Sequence, residues 1–265
     1  MCRHLAYLGP PATLRSVIIE PPHGLYQQAW APRFQRHGTV NADGFGVGWY
    51  APGDPEPARY RRAEPIWGDK SFADVARVTR TEAMLAAVRC ATAGTDLGPA
   101  SVAPFRSGPW LFSHNGTIDR WPESVAGLAA TLPAGAQLGL EARVDSALLW
   151  ALVLHRLQLG RAPADALSGT VGALHAAGVT GRFNFLLTDG RAIAATAAGD
   201  TLWYRCGTTV MVASEPGDDE PGWTEVPESS VIIATPGGVR VAELAGPDAE
   251  TSQDQNTDNG RITIR

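Results

Sequence analysis

A cysteine directly behind the initiator methionine has an option open to no other cysteine in a chain. Once Met1 is removed, Cys2 carries an intrinsically nucleophilic thiol beside its own α-amino group, whose reference pKa of about 7.7 to 8.0 lets it act as a base near neutral pH. Such a pair can attack an amide carbonyl. The plainer reading is that Cys2 is a buried strand residue, and position alone leaves both open. A metal site built on Cys2 and His4 has two spaced ligands and no completing pair. The glycines of Gly44-Phe45-Gly46-Val47-Gly48-Trp49 miss the G-x-G-x-x-G spacing, and no helix follows them to hold a phosphate.

The elements around these residues follow from periodicity. Cys2 to Leu8 alternates as a short strand that Gly9-Pro10-Pro11 is expected to break, and Ala12 to Ile19 suits a brief helix. In Asn41 to Tyr50, glycines alternate with apolar residues, the pattern of a strand that something approaches closely. Pro52 to Arg62 reads as a polar surface loop. Met84 to Ala91 and Trp110 to Ser113 read as strands that deliver Thr92-Ala93-Gly94 and His114-Asn115-Gly116 at their ends. Helical periodicity covers Ser124 to Leu132, Asp145 to Leu159 and Ala164 to Ala177, the second with Leu149, Leu152, Val153 and Leu157 along one face. Strands return at Phe183 to Thr188, Ala192 to Ala197, Leu202 to Cys206, Thr209 to Ala213, Ser230 to Ala234 and Val239 to Leu244, with Asp189-Gly190 as a hairpin turn. Antiparallel strands at both ends, with helices grouped between them, predict a layered α+β protein. One domain over 1–245 is expected, with a polar, flexible tail over 246–265.

Composition excludes several classes. Hydrophobic residues at 44% and charged residues at 18% are ordinary for a globular chain, and the net charge of -5 offers no basic field for nucleic acid. No apolar run approaches the roughly 18 to 20 residues of a membrane helix. Cys2-Arg3-His4 stands where a signal peptide would need apolar residues, so the expected location is cytoplasmic. Cys90 and Cys206, in apolar runs, are expected as small core residues and free thiols. A homodimer is carried as an expectation.

Five segments occur in a telling order: Met1-Cys2-Arg3-His4, Asn41-Ala42-Asp43-Gly44-Phe45-Gly46, Arg89-Cys90-Ala91-Thr92-Ala93-Gly94, His114-Asn115-Gly116 and Val144-Asp145-Ser146. Their order and types resemble the class II glutamine amidotransferase domains, over nearly the whole chain. The resemblance implies an N-terminal-nucleophile hydrolase fold, a four-layer αββα sandwich of two antiparallel sheets. It implies Cys2 as nucleophile, with Asn115 and the backbone N–H of Gly116 as oxyanion hole. Losing one such donor typically costs about 2.7 to 4 kcal/mol of barrier. By the same correspondence Arg89 holds the glutamyl α-carboxylate, which its planar fork suits, and Asp145 holds the α-ammonium while also suiting the N-cap of its helix. Thr92 adds a hydroxyl to the pocket, and Asp43 and Gly44 line a floor where substrate lies against backbone. His114 is counted on the substrate side in a structural role.

The opening Met1 to Gly9 resembles the small stand-alone branch that hydrolyses γ-glutamyl hercynylcysteine sulfoxide in ergothioneine biosynthesis. That implies a small-molecule γ-glutamyl conjugate as partner, a γ-glutamyl thioester at Cys2, and no metal or organic cofactor. Cys90 and Ala93 stand where many class II domains have Trp and His, which puts leaving-group specificity in doubt. A trimethylammonium leaving group would suit an aromatic face, Trp30, Trp49, Trp67 and Trp110 being among the eight tryptophans. The alternatives are a glutaminase subunit of a separate synthase and a non-catalytic γ-glutamyl-binding module.

Overall fold

In the computed structural model, which describes residues 2–92 and 94–244, two antiparallel sheets stack face to face with helices outside each. The first half contains β1 (Arg3–Thr13), α1 (Leu14–Ile18), α2 (Leu25–Gln28), β2 (Phe45–Trp49), β3 (Ala58–Arg62), α3 (Lys70–Val78), β4 (Arg80–Val88), β5 (Phe105–Ser107) and β6 (Trp110–Ile118). Helices α4 (Ala126–Thr131), α5 (Ala134–Leu138), α6 (Asp145–Gln158) and α7 (Pro163–Ala176) follow. Then come β7 (Gly181–Thr188), β8 (Ile193–Ala197), β9 (Trp203–Cys206), β10 (Val210–Ala213), β11 (Thr224–Glu225), β12 (Ser230–Thr235) and β13 (Gly238–Glu243). One sheet has the order β11-β9-β10-β1-β4-β2-β3, the other β13-β12-β8-β7-β6-β5.

Period-two alternation sorts the strand residues into layers. Leu5, Tyr7, Met84 and Ala86 face outward under Leu14, Val17, Phe72 and Ala76 of α1 and α3. Ala6, Leu8, Leu85 and Val212 face inward onto Leu111, Leu186 and Ile232 of the second sheet. Phe112, Phe183, Phe185 and Leu187 face outward again, under Leu149 and Val153 of α6 and Leu167 and Val171 of α7. The four αββα layers are those the resemblance implies. Among the described residues no helix is long and apolar enough to cross a membrane. The tail expected over 246–265 lies outside the described residues.

Several elements depart from expectation. β1 is not broken by Pro10-Pro11: its pairing with β4 shifts register between Leu8 and Ala12, and at such an irregularity no ladder N–H is demanded of proline. Residues 58–62 form edge strand β3 rather than loop, because Tyr60 stacks on Phe72 at 5.6 Å on the helix side while Arg59 and Arg61, on the opposite face, reach Glu141 at 3.0 and 2.7 Å. Helix α3 carries only two buried side chains, Phe72 and Ala76, too few to mark it by periodicity, and starts at Asp69, whose carboxylate accepts from the amides of Ser71 and Phe72. Cys206 is exposed rather than a core residue, since it ends β9 at the turn into β10.

The glycines of β2 are explained by the second sheet. A Cβ on Gly46 would run into the Ala103 carbonyl, and one on Gly48 would lie 2.6 Å from Leu111 Cδ1. What approaches this strand closely is protein.

Candidate active site

Five strands change character at one end of the inter-sheet layer. Inward positions run from Ala6 to His4 and Cys2 at the start of β1, and from Leu85 through Ala87 to Arg89 just past β4. They run from Leu111 to Ser113 and Asn115 on β6, from Leu186 to Asn184 and Arg182 on β7, and from Val212 to Ser214 after β10. The facing polar groups bind one another across the sheets. The backbone nitrogen of Cys2 donates to Asn115 Oδ1 at 3.2 Å, and His4 Nδ1 lies 3.2 Å from Ser113 Oγ. Asn115 is fully buried, yet its Nδ2 has no hydrogen-bond partner among the described residues. A buried amide N–H left unmade costs about 1 to 3 kcal/mol, so such a donor beside a thiol marks a place for an acceptor.

His114-Asn115-Gly116 is neither a turn nor a strand end: β6 continues through it to Ile118, with Asn115 paired to Asn184 and Gly116 to Phe183. A Cβ on Gly116 would run into the Arg182 carbonyl and lie 2.5 Å from His114 Nε2, so close strand packing requires this glycine. His114 points to the helix side. Its Nε2 donates to the Arg182 carbonyl at 2.9 Å, which leaves Nδ1 to accept from Ser146 Oγ at 3.0 Å. Burial pushes the His114 pKa down and keeps the ring neutral.

Asp145 is not the N-cap of α6. That position is Val144, and Asp145 is the first helical residue, its Oδ1 accepting from Ser146 N at 2.7 Å and its Oδ2 from Ile118 N at 3.2 Å. The carboxylate therefore ties α6 to β6, and its charge still suits a helix start. Arg89, also buried, donates from Nη1 to Ser101 Oγ at 3.0 Å and from Nη2 to Thr95 Oγ1 at 3.1 Å and the Asp96 carbonyl at 2.9 Å. Thr92 is exposed in the turn beneath that loop, its carbonyl accepting from Thr95. Asp43 and Gly44 brace the arginine from behind: the Gly44 carbonyl accepts from Arg89 N at 2.7 Å, and Asp43 Oδ2 accepts from Ala91 N at 2.8 Å. Gly44 has φ +138, and a Cβ there would lie 2.6 Å from Val102 Cγ2 and 2.8 Å from the Arg62 carbonyl. The room left by its missing side chain is thus filled by protein rather than held open as a pocket floor.

Burial raises the Cys2 thiol pKa above its ordinary value. The positive amino terminus, a hydrogen bond from the Cys90 backbone and Arg89 pull it down, and Asp145 adds to the rise. Arg89 and Asp145 are therefore both close enough to be felt by the sulfur. Cys90 is half-buried against Cys2 rather than a core residue. His4 is driven to about 3 by burial, then by His114 and Arg3, so it stays a neutral ring whose Nε2 has no hydrogen-bond partner among the described residues. A cavity of about 20 Å³, enough for one water, opens beside Cys2 between Arg89, Ser101, Ser113 and Ser146. Cavities of about 850 and 780 Å³ lie elsewhere, one at the opposite end of the sandwich around Tyr50 and Arg80, the other between Trp121 and α4. Neither reaches Cys2, and it is the convergence of polar groups that marks the site.

Residues 27–209 match the family described as glutamine amidotransferases class-II. The chain belongs to that family. A γ-glutamyl-hercynylcysteine sulfoxide hydrolase of Mycolicibacterium smegmatis is 40% identical over 247 residues, covering 92% of this chain and 100% of the relative. A hydrolase of the same name from Mycobacterium tuberculosis is 42% identical, covering 92% of this chain and 97% of the relative. A protein of Silicibacter pomeroyi described as a glutamine aminotransferase class-II domain protein has the same fold, with a TM-score of 0.67 at 23% identity, covering 92% of this chain and 100% of that one.

Within this class-II domain, Cys90 takes part through its backbone, and Ala93 lies outside the described residues. Of the tryptophans singled out, Trp30 packs edge-to-face on Tyr26 at 4.9 Å and on Trp67 at 5.5 Å, and Trp49 and Trp110 pack on the outer clusters. None of the four lines the cavity at Cys2. Ser113, Asn184, Arg182 and Asp200, absent from the sequence reading, complete this end of the class-II fold. Strand alternation counted back from Asn115 would have found Ser113; Asn184 and Arg182 depend on pairing between β6 and β7, and Asp200 on the turn after β8 that Asn184 holds.

Proposed function

We propose that the chain is a γ-glutamyl amidohydrolase acting on γ-glutamyl hercynylcysteine sulfoxide, releasing glutamate and hercynylcysteine sulfoxide in ergothioneine biosynthesis. The observation that carries the chemistry is Asn115, which holds the Cys2 nitrogen with Oδ1 and has Nδ2 buried with no partner among the described residues. The choice of substrate is supported by relatives of that name, aligned nearly end to end at 40% and 42% identity.

Removal of Met1 turns the Cys2 nitrogen from a peptide N–H into an amine, and Asn115 Oδ1 remains its acceptor. A buried thiol with a raised pKa is not a standing thiolate, so its proton must leave during attack, and the adjacent amine takes it. Sulfur bonds to the γ-carbonyl carbon, and the oxyanion is held by Asn115 Nδ2 and the Gly116 N–H. The C–N bond then breaks, the amine returns the proton to the leaving nitrogen, and a γ-glutamyl thioester remains. Water attacks that thioester, its proton returns to sulfur, and glutamate leaves. Arg89 and Asp145 hold the α-carboxylate and α-ammonium throughout; Arg89 exchanges contacts with the 95–101 loop for the substrate carboxylate. The residues themselves supply nucleophile, base and oxyanion donors, so the scheme uses no cofactor. Free Cys2, Cys90 and Cys206 support a reducing, cytoplasmic setting.

The test is intact-mass measurement of the N-terminus coupled to glutamate release from γ-glutamyl hercynylcysteine sulfoxide, glutamine and glutathione. Loss of Met1 with the sulfoxide as best substrate is the expected result. Full activity with Met1 retained would overturn the mechanism, and glutamine as best substrate would keep the mechanism but make the chain a glutaminase.

A further inference from the structure

The glutamyl half of the substrate has Arg89 and Asp145, while the amine half has no partner so far. Sheet order supplies a direction across the site. β4 packs on β6, β1 packs across β6 and β7, and β10 reaches β12, so a line from the β4 side to the β10 side meets Arg89, then Cys2 with Asn115 and Gly116, then Arg182 of β7. A γ-glutamyl group with its α-end at Arg89 and its carbonyl at Cys2 sends its leaving amine toward Arg182.

Arg182 faces inward, since its neighbour Phe183 lies in the helix-side core, and it pairs with Thr117, two residues past Asn115. Asn115 and Arg182 are therefore diagonal neighbours on one face, a relation that spans roughly 7 to 8 Å and is within reach of a long side chain. The arginine is held from behind. Its Nε lies 3.3 Å from Oδ2 of Asp200, whose side chain is fully buried and whose oxygens accept no hydrogen bond among the described residues. Asn184 fixes Asp200 through its backbone, with Oδ1 accepting from Ala198 N at 2.9 Å and Asp200 N at 3.1 Å and Nδ2 donating to the Asp200 carbonyl at 2.8 Å. Between them Gly199, at φ +102, lets the turn wrap the arginine, where a Cβ would sit 2.7 Å from Arg182 Cγ.

A buried carboxylate with so few partners is costly unless a cation stays beside it, so Asp200 fixes the guanidinium. The contact is one of charge at Nε, the root of the fork, and makes no hydrogen bond among the described residues; the arginine side chain keeps 22% exposure, which leaves the terminal nitrogens for a ligand. Asp200 is also close to Arg3, which it feels more strongly than Arg182, and to His37 and Arg36; Arg3 is wholly buried, with its Nε donating to Gln35 Oε1, and so is closed to a ligand from solvent.

We propose that Arg182, oriented by Asp200, receives the α-carboxylate of the leaving amine, so the site selects γ-glutamyl amides of α-amino acids over amides without that carboxylate. In such a substrate the carboxyl carbon is two bonds from the scissile nitrogen, on the side of Cys2 away from Arg89. The planar fork of arginine matches this ligand better than lysine would. This inference rests on the γ-glutamyl amidohydrolase reading.

The experiment measures kcat/KM for γ-glutamyl hercynylcysteine sulfoxide and for the analogue in which hydrogen replaces the cysteine carboxylate, on the wild type, Arg182→Lys and Arg182→Gln. The ratio of the two substrates in one preparation is independent of the folded fraction. The wild type is expected to prefer the carboxylate by about 10- to 100-fold, the scale of one charge-assisted contact, with Arg182→Lys intermediate and Arg182→Gln near parity. An unchanged ratio in both variants, or wild-type parity, would overturn the proposal while leaving the hydrolase reading intact. No glutamate from either substrate with wild type would instead sink the hydrolase reading.

Discussion

The inter-sheet layer has two halves made from the same strands with opposite energetic sign. In its middle, Ala6, Leu8, Leu85, Leu111, Leu186 and Val212 close against one another without a polar atom, and each large side chain so buried stabilises the fold by about 1.5 to 3 kcal/mol. At the Cys2 end, the same alternation presents His4, Ser113, Asn115, Asn184 and Arg89. Asn115 Nδ2 and His4 Nε2 are buried there without hydrogen-bond partners among the described residues. Each such group costs about 1 to 3 kcal/mol. A sequence selected for stability alone would continue the apolar rows to the end. That five strands turn polar together locates the site more firmly than any single motif.

Substitutions that separate the halves give the largest contrasts. Cys2→Ala is expected to reduce glutamate release on the order of 10³-fold or more while leaving the melting temperature nearly unchanged, because only one sulfur beside an existing small cavity is lost. Leu186→Ala should do the reverse, lowering unfolding free energy by about 2 to 5 kcal/mol in urea titration while the folded fraction keeps its kcat. A Cys2→Ala variant that melts as low as Leu186→Ala would make Cys2 a core residue, the plain reading that position alone allowed.

Asn115→Ala should lower kcat by about 10² to 10³, the usual loss for an oxyanion donor. Its stability loss should be smaller than that of Leu186→Ala, since Nδ2 has no partner to lose among the described residues. Two glycines sharpen the comparison further. Gly116→Ala meets backbone and a held imidazole, so β6 and β7 must part and activity and stability should fall together; Gly48→Ala meets the movable end of Leu111 and should cost about 1 to 3 kcal/mol with kcat retained. Circular-dichroism melts with single-turnover assays on both would separate the outcomes.

How much of this was legible in the sequence follows the same division. The strands of the second half were readable from period-two alternation, and helices α6 and α7 from their apolar faces. β3 was hidden because its side chains are arginines reaching an acid on another layer, and α3 because it buries only two residues. Cys2, Arg89, Asn115 and Asp145 come together in space, but the strand carrying Asn115 and Gly116 reads as ending at Ser113, since a His-Asn-Gly run shows no alternation of apolar residues and continues the strand only by its pairing with β7. Asp200 and Arg182 were invisible for a related reason. A buried charge on a strand end has no signature of its own, and only β-pairing brings Arg182 beside Asn115.

The smallest contrast is in pH dependence. His4 sits where β1 passes from the apolar half into the polar one, and its folded pKa of about 3 lies below the ordinary value of 6.5. The unfolded chain therefore takes up a proton below about pH 6.5 that the folded chain refuses, and stability falls as pH drops toward 3, by about 1.4 kcal/mol per unit for one such group. His114, also lowered by burial, adds a slope of the same sign. His4→Gln keeps an amide able to meet Ser113 and removes one titrating group. Urea titrations between pH 4 and pH 7 should therefore show a shallower slope in His4→Gln than in wild type, by roughly one proton's worth. An unchanged slope would mean that His4 is solvated when folded, and the polar half would then begin as an open cleft at His4, not as a buried layer continuous with the core.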